Sequence, residues 1–286
     1  MNKILNKIKF HLMRKAKSSG MKDYLTDRKI AQVGKKQIPK NIGKSIEVNT
    51  TELIQNGYTN LGLFLNEDTI NSIKTKADNF ECYDPFRKEL GTFKLSQTPK
   101  QVHVANYRRK DLASIKEILD IANNSDILNA AQDFLGATPT ISNINMWWSF
   151  SGKEQAEQAQ LFHRDVDDFR FCKLFIYLTD VEMNNGPHVY VEGSSVSPKL
   201  RKIRRYEDSE IYDAFGKEKV KYFTFPKGTA FLVDTYGFHK GLLPSEGKRL
   251  LFQVQYSLSP IGIENYEPIN IGAHNYDPYI NRLILE

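Results

Sequence analysis

The sequence predicts a mainly β protein, a double-stranded β-helix (jelly roll) with a helical buttress on its N-terminal side. Its 286 residues are 40% hydrophobic and 26% charged, an ordinary globular composition for a chain long enough to bury one large core. Helical periodicity dominates residues 66–136, and short segments rich in β-branched and aromatic residues follow from Thr138 onward. A run of short strands after a block of helices is typical of a sandwich or jelly roll with helical cover.

Charge divides the chain into a basic arm, residues 1–44, and a mildly acidic domain, residues 45–286. The arm holds 13 of the 40 basic residues and two of the 34 acidic ones, so the domain keeps 27 bases against 32 acids. This balance predicts no nucleic-acid partner. Without a Pro/Gly/Ser-rich linker in the middle, we expect one domain, with a helical part at 45–137 and a jelly roll at 138–260.

Residues 1–17 are predicted to form a short basic amphipathic helix. Its apolar residues recur at helical spacing among lysines and arginines: Ile4, Leu5, Ile8 and Leu12. Weak contact with an anionic membrane surface is one hypothesis, and a solvated arm folded against the domain is the other. Lysines interrupt the apolar positions too often for a signal peptide or membrane span, and Cys82 and Cys172 show no pairing motif, so a cytoplasmic protein is expected. The sequence leaves the oligomeric state open.

The helical part is predicted to contain three helices, each starting at a side chain that can cap the first turn. They are expected after Asn66 (to Phe80), after Asp111 (to Ala122) and after Ser125 (to Leu135, before Gly136). Strands are then expected at 139–148, 161–166, 171–179, 187–192, 219–225, 229–234 and 248–258. The polar stretch 199–218 interrupts the strands and is predicted to be a helical insertion that begins near Glu207.

One predicted strand carries the motif His163-Arg164-Asp165. Residues i and i+2 of a strand point to the same face, so this imidazole and this carboxylate can reach one metal ion. The motif alone is a weak signal. His239 strengthens it, because it follows another predicted strand and stands among glycines that allow close backbone approach. Two histidines and one carboxylate form the facial triad of non-haem Fe(II) oxygenases.

Arg249 lies ten residues after His239, at the start of a predicted strand. It shares a strand face with Leu251, Gln253 and Gln255, and no acid lies on that face. A buried guanidinium needs an anion, and its fork suits the distal carboxylate of a 2-oxo acid.

These residues, together with Leu178-Thr179-Asp180, Asn185-Gly186-Pro187 and Glu192-Gly193-Ser194, give a resemblance over residues 138–258. The chain resembles a phytanoyl-CoA dioxygenase-type Fe(II)/2-oxoglutarate oxygenase. Two positions depart from that family's pattern. Gly241 stands where a serine often follows the distal histidine, and Ser195 stands where the Pro-Gly-Ser-His loop ends.

The resemblance implies a role for each matching residue. Iron ligands would be His163, Asp165 and His239; 2-oxoglutarate contacts would be Arg249, Asn145 and Gln253; substrate contacts would be Asp167, Asp168 and Phe169. The implied reaction consumes O2 and 2-oxoglutarate, releases succinate and CO2, and oxidises a small-molecule substrate. Because related halogenases lack the ligand carboxylate, the presence of Asp165 favours hydroxylation or another oxidation over halogenation.

Two other functions stay open on the sequence alone. A jelly roll can serve as a binding module without turnover, and a cupin-type isomerase would use the metal as a Lewis acid without needing Arg249. Among the remaining residues, His188 is expected to line the barrel wall or face substrate, and Trp147 and Trp148 to point to opposite sides of their strand. The basic run 201–205 is predicted to be either an anion-binding lid or a solvated helix start.

Overall fold

A computed structural model of the protein describes residues 19–39 and 45–286. Within these ranges the α-helices are α1 (Ser19–Val33), α2 (Thr50–Asn56), α3 (Glu67–Ala77), α4 (Arg109–Ala113), α5 (Lys116–Ala122), α6 (Ser125–Leu135), α7 (Asp208–Phe215) and α8 (Pro278–Asn281). The strands are β1 (Tyr58–Leu63), β2 (Cys82–Tyr83), β3 (Thr92–Phe93), β4 (Val104–Tyr107), β5 (Thr140–Phe150), β6 (Phe171–Tyr177), β7 (His188–Val191), β8 (Val220–Phe223), β9 (Thr229–Val233), β10 (His239–Gly241) and β11 (Lys248–Ser257).

The strands form two antiparallel sheets, as expected for a jelly roll with helical cover. The large sheet has the order β1-β9-β6-β11-β5-β4-β2-β3, and the small sheet has the order β10-β7-β8. Strand β11 lies at the centre of the large sheet, where it pairs with β5 on one side and β6 on the other. Side chains from the three strands therefore stand next to one another on the face that meets the small sheet.

The helical predictions are confirmed at the ends of the segment and wrong in its middle. Asn66 caps α3 through Thr69 N, and Gly136 ends α6 with a left-handed φ of 82°. The cap expected at Ser125 is wrong, because the Asn124 side chain accepts from the first-turn N–H groups of α6 instead. The helix expected at 111–122 is two helices, because Ile115 is extended and the Ser114 hydroxyl bonds back to the Asp111 carbonyl. The expected insertion is helix α7, with Glu207 at its N-cap.

Six of the predicted strands are confirmed, as β5 to β9 and β11, whereas β1 to β4 and β10 were not predicted. Strands β1 and β4 lie inside the segment predicted to be helical, and they form because each pairs with a distant partner, β9 and β5 respectively. The segment predicted as a strand at 161–166 makes only isolated bridges, including one between His163 and His239. Pairing with remote strands overrides local preference at these positions.

The main hydrophobic core lies between the helices and the outer face of the large sheet. Helices α3, α5 and α6 bury apolar side chains there, including Ile70, Ile118 and Leu128. Part of the predicted arm also packs here, since Leu25, Ile30 and Val33 of the α1 segment contact this core. The predicted membrane-contacting helix at 1–17 lies outside the described residues, and in the part that is described no helix is long and apolar enough to span a bilayer.

Candidate active site

A cavity of about 220 Å³ opens between the two sheets and collects most of the predicted site residues. Its wall comes from β5, β6 and β11 of the large sheet and from β7 and β10 of the small one. The polar side chains that line it are Ser149, Gln160, His163, Asp165, Lys173, His188, His239, Arg249 and Gln253. Residues separated by up to 149 positions in the sequence thus line one cavity.

His163, Asp165 and His239 meet at one end of the cavity, which we call the metal end. Nε2 of His163 lies 3.6 Å from Asp165 Oδ1, and Nε2 of His239 lies 3.4 Å from Asp165 Oδ2. The three groups offer donor atoms within 4.8 Å of one another, a spacing that suits one metal ion. The predicted triad therefore comes together in space.

Backbone contacts fix both imidazoles at the metal end. His163 and His239 exchange two backbone hydrogen bonds of 3.0 Å, which ties the segment before Asp165 to strand β10. Nδ1 of each ring donates to the carbonyl two residues earlier, Leu161 for one and Gly237 for the other, both at 2.9 Å. With Nδ1 carrying the proton, Nε2 of each ring is left as the metal-binding atom.

The electrostatics of the metal end favour an uncharged His163 imidazole beside an ionised Asp165 carboxylate. Burial, reinforced by His239, lowers the pKa of His163 to about 3. Burial alone would raise the pKa of Asp165, but the Lys173 ammonium holds it well below its usual range. These are the protonation states that metal ligands require.

Lys173 is a member of the metal end that sequence reasoning missed. It is only 8% exposed, and its Nζ lies 2.7 Å from Asp165 Oδ2 and 3.3 Å from Asp167 Oδ2. Burial opposes its charge, yet the two carboxylates raise its pKa. The sequence does carry a signal for this residue, because Lys173 is a lysine at the third position of strand β6, which is otherwise apolar and fully buried.

Arg249 lines the same cavity, and we call the group of residues around its guanidinium the arginine end. It is 3% exposed; Nη1 donates to the Gly186 carbonyl and Nη2 to the Ser149 hydroxyl at 3.3 Å. Its Nε has no partner, and no ion pair to it is found among residues 45–286. Gly241 borders it so closely that a β-carbon there would lie 3.2 Å from Nη2.

The other predicted contacts divide between cavity and core. Gln253 lines the cavity, while its cross-strand partner Asn145 is half-buried on the same sheet face and is not among the lining residues. Asp167 reaches Lys173. Asp168 is 2% exposed and its carboxylate accepts from Ser259 N at 2.6 Å, and Phe169 packs into the main core, so neither is brought to the cavity.

The structure also shows where the two tryptophans and the basic run 201–205 lie. Trp147 lines the cavity, and Trp148 points the other way and donates to the Tyr107 hydroxyl at 3.2 Å, as their alternation predicted. In the run 201–205, Arg204 is an exposed partner of Glu210 in the first turn of α7. This contact fits the solvated helix start, the second of the two hypotheses.

Two sheets enclosing a His/Asp/His cluster and a buried arginine define a non-haem iron, 2-oxoglutarate-dependent oxygenase. The chain belongs to the phytanoyl-CoA dioxygenase (PhyH) family, whose model matches residues 53–243. Members of that family depend on Fe(II), 2-oxoglutarate and O2, as the resemblance implied. A search of curated proteins finds no match.

Solved structures with the same fold include several 2-oxoglutarate enzymes of low sequence identity. HygX from Streptomyces hygroscopicus, solved with nickel and 2-oxoglutarate, is 15% identical, with a TM-score of 0.56 over 81% of this chain and 98% of its own. EctD from S. alaskensis, solved with iron, is 15% identical, with a TM-score of 0.55 over 89% of this chain and 91% of its own. The α-ketoglutarate-dependent carbocyclase SnoK from nogalamycin biosynthesis is 15% identical, with a TM-score of 0.54 over 72% and 81%.

Proposed function

We propose that this oxygenase holds Fe(II) through His163, Asp165 and His239 and uses it to hydroxylate a small molecule. The single observation that carries the proposal is that one cavity contains these three ligands and a buried arginine that has no acidic partner within the described ranges. In the overall reaction, substrate C–H, O2 and 2-oxoglutarate become C–OH, succinate and CO2. When bound, the iron supplies the oxidising chemistry, and the residues of this chain position the reactants.

The donor set fits iron better than zinc or magnesium. Two imidazoles and one carboxylate leave open coordination positions, which the co-substrate and O2 need, and no cysteine contributes a thiolate. The Nδ1 contacts with Leu161 and Gly237 orient the rings before the metal arrives. Lys173 holds the Asp165 carboxylate from the side away from His163.

Arg249 is the residue proposed to receive the distal carboxylate of 2-oxoglutarate. A fork of guanidinium nitrogens binds a carboxylate through paired, charge-assisted hydrogen bonds. Ser149 supports one nitrogen of that fork, and burial removes competing water. Gln253 and Asn145 are proposed as further co-substrate contacts, Gln253 directly and Asn145 through its pairing with Gln253.

The primary substrate is proposed to be a small molecule that enters past Asp167. HygX, which has a similar fold, has been solved with the small molecule hygromycin B bound. We propose a cytoplasmic enzyme, in keeping with two unpaired, buried thiols, Cys82 and Cys172. Membrane contact through residues 1–17 and the domain division at residue 44 stay predictions.

Turnover without primary substrate tests this function against its alternatives. Purified enzyme given Fe(II), 2-oxoglutarate and O2 is expected to release succinate slowly, and Asp165→Ala is expected to abolish this release together with iron binding. Asp167→Ala is the matched control, since it removes another carboxylate from Lys173 but no proposed ligand. A binding module would take up both ligands without making succinate, and an isomerase would stay active without O2 and in Arg249→Ala.

A further inference from the structure

His188 is a buried imidazole that the proposed function has not yet used. It is 4% exposed, it lines the cavity, and its Nε2 has no hydrogen-bond partner. Its ring lies 5.6 Å from the His239 ring and 4.9 Å from the Phe175 ring, measured between centroids. A buried polar atom without a partner carries a free-energy cost, and a cavity that later receives a polar ligand removes that cost.

Three contacts place His188 beside the Arg249 guanidinium. Gly186, two residues before it, accepts the hydrogen bond from Arg249 Nη1. Gly241, its direct cross-strand partner, is the residue that borders Arg249 Nη2. Its backbone N–H donates to the Tyr177 hydroxyl at 2.8 Å, and Tyr177 in turn lies next to Arg249.

The arginine end therefore has two nitrogens without a hydrogen-bond partner, Arg249 Nε and His188 Nε2. An imidazole in either neutral tautomer carries one N–H donor. A carboxylate has two oxygens and about four acceptor sites, so a guanidinium fork leaves room for another donor. Because Gly241 lacks a side chain, His188 is the polar side chain that the small sheet presents at this point.

We propose that His188 donates a hydrogen bond to the distal carboxylate of 2-oxoglutarate, next to Arg249. The inference rests on the proposed function, since it takes 2-oxoglutarate as the ligand of this cavity. It assigns His188 to the co-substrate and removes it from the set of residues that face the primary substrate. Selectivity for a five-carbon diacid would then depend on two residues, one from each sheet.

Calorimetric titration of the Ni(II)-loaded protein with two 2-oxo acids tests this assignment without turnover. One ligand is 2-oxoglutarate, and the other is 2-oxopentanoate, which has the same chain length but no distal carboxylate. His188→Phe is expected to weaken 2-oxoglutarate binding roughly 10- to 100-fold, the usual worth of a hydrogen bond to a charged group, and to leave 2-oxopentanoate within about threefold. His188→Gln, which keeps an N–H donor, is expected to recover most of the loss.

Phe175→Leu is the matched control, because it changes the ring packed on His188 and should affect both ligands equally. His188→Met makes the same comparison should the phenylalanine variant fail to fold, as judged by its melting curve. Equal losses for the two ligands, or no loss for either, would overturn the role of His188. Wild-type protein that binds no 2-oxoglutarate would overturn the proposed function as well, and this result is distinct from a failure confined to the His188 variants.

Discussion

The two ends of the cavity differ in how completely the protein satisfies its own polar groups. At the metal end, both Nδ1 atoms have carbonyl partners, and Asp165 is balanced by Lys173. At the arginine end, Arg249 and His188 keep nitrogens without partners, and the guanidinium faces no carboxylate among residues 45–286. The polar groups of the metal end have their partners before a ligand binds, whereas those of the arginine end need a bound anion to have theirs.

This difference indicates which kind of ligand each end binds. A metal ion binds donor atoms that are already in position, so preorganisation at that end favours it. A carboxylate supplies what the arginine end lacks, and the cost of burying unpaired donors is recovered on binding. Buried polar groups without hydrogen-bond partners thus indicate a bound ligand as clearly as a cluster of metal-binding side chains does.

The largest effect that would separate the two ends is expected from Arg249→Ala. The variant should bind metal normally and lose 2-oxoglutarate affinity by about 10²- to 10³-fold, because a buried, hydrogen-bonded charge pair contributes about 2–5 kcal/mol. Metal content and calorimetry with 2-oxoglutarate measure the two properties separately. Loss of metal along with the co-substrate would show that the ends are not independent.

Acid should destabilise both ends of the metal-free protein. The pKa of His163 falls to about 3 and that of His188 lies well below its usual range, so both stay neutral when folded and take up protons near pH 6.5 once unfolded. The free energy of unfolding should be constant above about pH 7 and decrease from about 6.5 downward. Urea titrations in a chelator measure this, and His188→Phe should reduce the slope. A profile unchanged between pH 7 and 5 would contradict the buried, neutral histidines.

Lys173→Met tests whether Lys173 balances the charge of Asp165 at the metal end. Without the ammonium, the buried Asp165 carboxylate loses its cationic partner, and the metal-free protein should lose about 2 kcal/mol of unfolding free energy. Added Ni(II) should then raise the melting temperature more in the variant than in wild type, because the metal replaces the missing charge. Lys110→Met, at an exposed position of α4, is the control. Equal metal-induced shifts would argue against the charge balance.

The smallest effect is expected at Asp168, which the sequence grouped with substrate contacts. Asp168→Ala should lower the free energy of unfolding by about 1–2 kcal/mol through loss of its bond to Ser259 N, with little change in substrate KM. Asp167→Ala should show the reverse, a raised KM and near-normal stability. Melting curves and steady-state kinetics, once a substrate is found, distinguish the two. A raised KM in Asp168→Ala would restore it to the substrate group.

The sequence predicted the chemistry of this site better than its surroundings. His163-x-Asp165, His239 and Arg249 stand out because their residue types are unusual in strands and their spacings fit one metal and one diacid. Asn66, Gly136 and Glu207 marked helix boundaries through local capping, which involves only neighbouring residues. Strands β1 and β4 left no comparable local signal, since their stability comes from β9 and β5.

The reactive groups, the jelly-roll class and the boundaries of several helices can be predicted from the sequence, because they depend on residue type and short-range spacing. Three features follow only from the folded chain: Lys173 reaches Asp165, Asp168 turns into the core, and His188 stands beside Arg249. Each of these depends on which residues of separate strands lie opposite one another. Register is set by packing of the whole sheet, and a shift of one residue would turn every such side chain to the other face.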